Sequence, residues 1–271
     1  MLKQRIITAA VLLVIFVGVF FFASERVFQL AMAIVAAAAA YEWASLSALK
    51  EKQVQWVSVV VGFIALLVNG VLSNLTFVGC LAWLGLAFWC YAFYTLRAAP
   101  VKRSIHRQDW GGVVLGSALI ISSVACLQAL RFDAPNASAW LLLYCLALVW
   151  AMDTGAYFAG KRFGRTKLAP SISPGKTREG VVGGLAAACS LFLLSVLFGS
   201  WPSGAVFAVF VATVVSAPFS VVGDLYESRL KRAAGAKDSS DLLPGHGGVL
   251  DRIDGVLAAV PMFTALYLWL A

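Results

Sequence analysis

Charge is scarce in this chain. Of 271 residues, 13% are Asp, Glu, Lys or Arg, whereas 61% are hydrophobic. No hydrophilic stretch is long enough to form a soluble domain of its own, which leaves a single integral membrane domain, residues 1–271. Histidine is almost missing: His106 and His246 are the only two, too few and too far apart for a histidine-built metal centre. The five cysteines, Cys80, Cys90, Cys126, Cys145 and Cys189, fall inside apolar runs. They lack metal-ligand spacing and suggest no disulfide framework, so they read as small core residues. Gly/Ser linkers, low-complexity tails and internal repeats are absent as well.

What is present is apolar sequence in pieces of about 20 residues, the length that crosses a bilayer as a helix. Nine such spans can be drawn, at about 6–23, 27–48, 55–73, 75–96, 111–130, 138–159, 180–200, 203–225 and 249–270. The connections near Ser73 and Ser200 are very short. The first run resembles a signal peptide in its Lys3 and Arg5, but it is long for one and lacks a cleavage site, so it reads as a retained helix. The expected fold is an all-α polytopic transmembrane bundle of about nine spans. Residues 1–135 supply N-terminal helices; residues 136–271 supply catalytic helices and loops.

The basic residues orient this bundle. Alternate connections place 19 of the 21 Lys and Arg on one side, and only Arg26 and Arg131 on the other. The positive-inside rule then puts the N-terminus in the cytoplasm and the C-terminus outside. The net charge of +8 thus reports membrane orientation, not nucleic-acid binding. The nine tryptophans, Trp56, Trp110, Trp140 and Trp201 among them, sit largely near span ends as an interfacial belt.

One stretch breaks the apolar pattern. Gly223 to Gly255 holds six of the 13 acidic residues: Asp224, Glu227, Asp238, Asp241, Asp251 and Asp254. Asp224, Glu227, Ser228 and Lys231 stand at helical spacing and share one face. Asp251 and Asp254 do the same on the next helix. Pro244-Gly-His-Gly-Gly between them breaks any helix. Carboxylates gathered at both ends of a polar loop repel unless a cation lies between them, and Mg²⁺ prefers oxygen ligands. An ionised Asp at mid-bilayer costs about 2.5–3.5 kcal/mol, so acids placed beside lipid-embedded segments call for a function.

Two further features lie on the same side. Asp153 and Tyr157 share a face near the end of the sixth span, where Gly155 and Gly160 permit close packing. The long basic loop that follows, Lys161 to Gly180, contains Ser173-Pro-Gly-Lys176-Thr177. It is not a P-loop, because Pro170 stands where that motif needs glycine. Free backbone amides at the start of the seventh span, beside Lys176 and Thr177, would form an anion site; a basic loop that attracts acidic lipids is the alternative. Glu42, in the second span, is expected to pair with a basic residue of the bundle, or else to help shape the site. His246, between glycines, suits phosphate hydrogen bonding. Carboxylates for a metal and cations for phosphate are the equipment of phosphoryl or nucleotidyl transfer.

The residues Ser228-x-Leu-Lys-Arg-x4-Lys237-Asp238-x-Ser-x2-Leu-Pro-x-His246-Gly-Gly-Val-x-Asp251-Arg-Ile-Asp254 resemble the long motif of phosphatidate cytidylyltransferases, also called CDP-diacylglycerol synthases. Asp153-Thr-Gly-Ala-Tyr-x2-Gly, Lys167-Leu-Ala-Pro and Ser173-Pro-Gly-Lys-Thr-x-Glu-Gly are similar to that family too, and the likeness runs from about Leu148 to the C-terminus. Arg178 departs from it, at a position where an aromatic residue is expected. The resemblance implies transfer of a cytidylyl group from CTP to phosphatidate. It implies Mg²⁺, leaves room for a second, monovalent cation, and implies a multi-pass protein of the bacterial inner membrane with its site facing the cytoplasm. Membrane lipid and the two substrates are the implied partners, nucleic acid is not, and a homodimer is compatible with it.

On that basis Asp224 and Asp251 lead as metal ligands, followed by Asp254 and Asp153. Lys176, Thr177, Lys231, Arg232, Lys237, His246 and Arg252 are phosphate contacts; Ser173, Arg178 and Ser228 complete the substrate-binding set. Lys237, Arg252 and His246 count with Asp224 and Asp251 as catalytic. Asp251→Asn is expected to leave the chain folded but nearly inactive. Two rivals stand beside this reading: a CTP-dependent enzyme acting on a prenol, and an ion-coupled transporter. The transporter predicts midplane acids and an inverted repeat.

Overall fold

The computed structural model describes residues 2–70, 74–98, 108–199, 201–202 and 204–271. Lys102, Arg103, His106 and Arg107 lie outside the described residues, as do Ser73 and Ser200; the side chains of Lys3, Arg5 and Arg97 are likewise not described. Nine α-helices are formed among the described residues: α1 (Leu2–Val17), α2 (Glu25–Leu46), α3 (Glu51–Gly70), α4 (Leu75–Ala98), α5 (Trp110–Phe132), α6 (Ala139–Phe163), α7 (Arg178–Phe198), α8 (Ala205–Ala233) and α9 (Leu250–Leu270). Helices α2 to α9 are each long and apolar enough to cross a membrane; α1 is shorter and ends in a π-helical turn, Gly18–Phe22. A helix suits these runs because it satisfies its backbone polar groups internally, as lipid requires. The chain is an all-α polytopic bundle.

Local signals set several helix starts. Asp109, Ser138 and Thr177 accept hydrogen bonds from the amides of Gly112, Leu141 and Gly180 respectively, each satisfying a donor left over by the first turn. The basic loop contains a short antiparallel hairpin, β1 (Lys167–Ala169) and β2 (Ser173–Thr177). Glu179, in the first turn of α7, anchors it by accepting from the amides of Arg165 and Thr166. Helices α6 and α7 approach closely where Gly155 meets Gly183 and Gly184; a Cβ on Gly155 would lie 2.8 Å from Gly183 O.

Helix α9 is the centre of the bundle. Every residue from Gly255 to Tyr267 is buried, and α9 packs against α2, α4, α5, α6 and α8. An all-round apolar sequence is what a helix surrounded by others requires. Pro261 lies within it and has no N–H to offer Leu257 O. That carbonyl instead accepts from Trp89 Nε1 of α4 at 2.9 Å and lies 3.1 Å from the Ser123 hydroxyl of α5. Three helices are thereby joined at one carbonyl.

Two expectations from composition are corrected here. Trp43 and Trp89 are core residues, 2% and 1% exposed, because their indole N–H groups find carbonyl partners inside the bundle, Gly112 O and Leu257 O. Trp56, Trp140 and Trp269 are exposed. Of the cysteines, Cys126 and Cys145 are buried as expected, but Cys80 and Cys90 are exposed on α4, where an apolar sulfur suits a surface facing hydrocarbon.

Candidate active site

The C-terminal ends of α6 and α8 and the N-terminal ends of α7 and α9 carry the polar residues. A cavity of about 500 Å³ lies between α6, the hairpin, α7 and α8; Asp153, Tyr157, Lys161, Ser173, Lys176, Thr177 and Asp224 are among its lining residues. Lys176 Nζ sits 2.5 Å from Asp224 Oδ2, and the Ser228 hydroxyl donates to Asp224 Oδ1 at 3.1 Å. Acids from two helices, Asp153 of α6 and Asp224 of α8, thus line one cavity with Lys176.

Gly223 explains how α8 and α9 bring Asp224 and Asp254 together. A Cβ at this position would lie 2.3 Å from Asp254 O and 3.0 Å from Ala258 Cβ, so the helices could not approach as they do. Gly223→Ala is expected to lower stability by about 1–3 kcal/mol, the usual cost of overpacking. Thermal unfolding in detergent checks this, and an unchanged transition would show that the contact yields freely.

A second polar group lies one step away, at the start of α9. Lys231 Nζ contacts Glu227 Oε2 at 2.7 Å and Asp251 Oδ1 at 2.6 Å. The other oxygen of Asp251 accepts from the amides of Ser239 and Gly248. Ser239 and Gly248 belong to the loop between α8 and α9, so Asp251 fastens that loop to its own helix. Asp224 and Asp251, expected to lead together as metal ligands, are thus held apart: Asp224 lines the cavity with Asp153, whereas Asp251 has both oxygens engaged elsewhere. The backbone of Asp254 packs on Gly223, the neighbour of Asp224 in the chain.

Glu42 carries a second correction. It is fully buried, yet its described partners include no Lys or Arg. Its oxygens accept from the amides of Val249 and Leu250 at 2.9 and 2.6 Å and from the hydroxyls of Ser240 and Ser239 at 2.5 and 2.9 Å. The carboxylate thus caps the start of α9 from α2, where an anion is also favoured by the helix dipole. The hydroxyl of Ser239 stands between Glu42 and Asp251.

The remaining expected residues separate. The amides at the start of α7 are largely engaged within the protein, Arg178 N with Thr166 O and Gly180 N with the Thr177 hydroxyl; this corrects the picture of a free anion-binding helix end and leaves Lys176 as its cation. Arg232 bonds to Ala236 O, Arg252 bonds to His246 O, and Lys237 is exposed. None of these three, nor His246, lines the cavity. Arg178 lines a neighbouring cavity. Lys161 and Ser239 went unremarked in the sequence because a lysine in a basic loop and a serine in a polar one carry no distinguishing pattern.

Membrane-length helices around a cavity lined by acids and lysines define the class: a polytopic membrane protein with a polar site at one end of its bundle. The chain belongs to the Cytidylyltransferase family, whose model matches residues 3–270, and is therefore a nucleotidyltransferase. It is similar to a protein of Pseudomonas aeruginosa named phosphatidate cytidylyltransferase, with 40% identity over 273 residues, covering 100% of this chain and 98% of the relative. A protein of the same name from Haemophilus influenzae is 36% identical over 288 residues, covering 98% and 99%. A third, from Bacillus subtilis, is 42% identical over 130 residues, covering 48% and 47%.

Proposed function

We propose that this protein transfers the cytidylyl group of CTP to phosphatidate, giving CDP-diacylglycerol and pyrophosphate, at the cytoplasmic face of a bacterial inner membrane. The observation that carries this reading is the meeting of Lys176 with Asp224 across a cavity that Asp153 also lines, in a chain of this family. A phosphate oxygen of the lipid attacks the α-phosphorus of CTP. The bond from that phosphorus to the bridging oxygen breaks, and pyrophosphate departs with the electron pair. A phosphate monoester has a second pKa of about 6 and is largely ionised near neutrality, so no protein base is required. The protein's task is to bring two anions together and hold them in line. Lys176 and Lys161 line the cavity as counter-charges, while Ser173 and Tyr157 offer hydroxyls.

Carboxylates alone would repel CTP, which points to a bound dication. Among the described residues, no three acidic, histidine or cysteine side chains form a ready-made metal cage. The donor set nevertheless fits Mg²⁺ in kind: hard carboxylate oxygens of Asp224 and Asp153, few enough to leave positions for water and phosphate. Mg²⁺ bound there would offset charge on the phosphates. Lys176 neutralises Asp224 in the meantime.

The test is pyrophosphate release by the purified full-length protein from CTP with phosphatidate, run in parallel with a polyprenol or prenyl phosphate. Release with phosphatidate, abolished by EDTA and restored by Mg²⁺, is the expected result. No release with phosphatidate would end this reading, and release with the prenol alone would transfer the chain to the rival substrate class. The clustering of the acids at one end of the bundle disfavours an ion-coupled transporter.

A further inference from the structure

Beside the acid–lysine cavity lies a second cavity of about 940 Å³, within the range of small-ligand sites. Its walls include Phe93 of α4, Leu168 and Ile172 of the hairpin, and Phe219 of α8. Among the described residues, Arg178 is the one charged residue that lines it. Among the described residues, nothing pairs with the Arg178 guanidinium, although its backbone amide is bonded to Thr166 O. Val181 and Val221 line both cavities, so the two share a wall. Arg178 and Val181 are one helical turn apart on one face of α7. Lys176 and Thr177, immediately before Arg178 in the chain, line the first cavity.

We propose that this second cavity seats the lipid substrate, its acyl chains against the apolar walls and its phosphate held by Arg178 at the wall shared with the acid–lysine cavity. The proposal rests on phosphatidate being the acceptor. Several features favour a lipid phosphate over the nucleotide. A cytosine ring needs hydrogen-bond partners around its edge, and the side chains that line this cavity are aliphatic or aromatic apart from Ser171 and Arg178. An alkyl chain needs only that carbon. An arginine is suited to a phosphate, which it can grip through two parallel N–H···O bonds. The wall shared through Val181 and Val221 sets a phosphate on Arg178 beside the cavity lined by Lys176 and Asp224, as the transfer demands. It also gives Arg178 a role that an aromatic residue at this position could not fill in the same way.

The experiment uses purified full-length protein in mixed micelles. Initial rates are measured with dioleoyl and with dihexanoyl phosphatidate at saturating CTP, and then with CTP varied. Arg178→Leu is expected to raise KM for phosphatidate about tenfold or more, the worth of a charge-assisted hydrogen bond, with KM for CTP within about twofold of the parent value. Arg178→Lys should recover part of the loss. Ser171→Trp, at an exposed turn position lining the same cavity, should lower kcat/KM for the dioleoyl lipid far more than for the dihexanoyl one. A phosphatidate bearing a photoreactive group on its acyl chain should label the parent protein at Leu168–Ile172 or Phe219, a readout that needs no variant.

A rise in KM for CTP instead would assign Arg178 to the nucleotide and overturn the proposal. Parent-like lipid kinetics in both Arg178→Leu and Ser171→Trp, or labelling confined to other helices, would overturn it too and leave the cavity to a bystander lipid. Failure of the parent protein to use any phosphatidate is a separate outcome, one that removes the substrate assignment itself.

Discussion

Glu42→Ala should destabilise the protein by about 3–5 kcal/mol, the scale of leaving several buried groups unpaired. The effect follows from what the carboxylate holds. Two amides in the first turn of α9 and two serine hydroxyls of the preceding loop converge on it inside the bundle. Removing it leaves those donors without an acceptor, two of them, from Ser239 and Leu250, on buried residues. Glu42→Gln separates this from mere space filling. The amide has nearly the same volume but turns an NH₂ group toward a backbone N–H that can only donate, so it should lose a large part of the same stability. Thermal unfolding in detergent is the measurement. A glutamine variant that melts with the parent would show that the hydrogen bonds contribute nothing and that the site tolerates a neutral residue.

Asp224→Asn carries the largest expected effect on turnover, a fall of at least about 10²–10³-fold, the scale of removing one group that stabilises transition-state charge. Its unfolding transition should stay close to that of the parent, because Asp224 is part-exposed and its partners Lys176 and Ser228 can find water. Asp251→Asn should behave differently. Asp251 answers the charge of Lys231 and fastens Ser239 and Gly248, so its neutralisation should lower stability along with activity. This revises the expectation that the variant simply stays folded. Measuring turnover and unfolding side by side decides the matter. Equal stability in the two variants, with activity lost in both, would return Asp251 to the catalytic centre.

Much of this arrangement was legible in the sequence. Runs of about 20 apolar residues marked the spans, since length and hydropathy are set by the solvent the helices meet. Helical spacing put Asp153 with Tyr157, and Asp224 with Ser228, and the cavity and the 3.1 Å hydrogen bond follow from it. Spacing along one helix says nothing about which face meets which neighbour. Asp251 and Asp254 are therefore equivalent by pattern, yet the backbone of Asp254 packs on Gly223, beside Asp224, while the side chain of Asp251 pairs with Lys231. Glu42 was visible as a costly acid in an apolar run, but its partners are amides and hydroxyls more than 190 residues away, and backbone amides leave no signature in a sequence. The hairpin at Lys167–Thr177 was hidden for a similar reason: a proline- and glycine-rich basic segment reads as loop whether or not its backbone pairs.

The dependence of α9 on Glu42 also orders events during synthesis. Helix α2 leaves the ribosome when more than two thirds of the chain is still unmade, and until the last helix arrives its acid has none of its four donors. For that interval the membrane holds an unanswered carboxylate. Arrival of α9 supplies the first-turn amides, draws in the serines of the preceding loop and closes the polar end of the bundle in a single stroke. The catalytic end is thus the last part of the molecule to exist, and a chain that stops short of α9 is left with an acid it cannot satisfy.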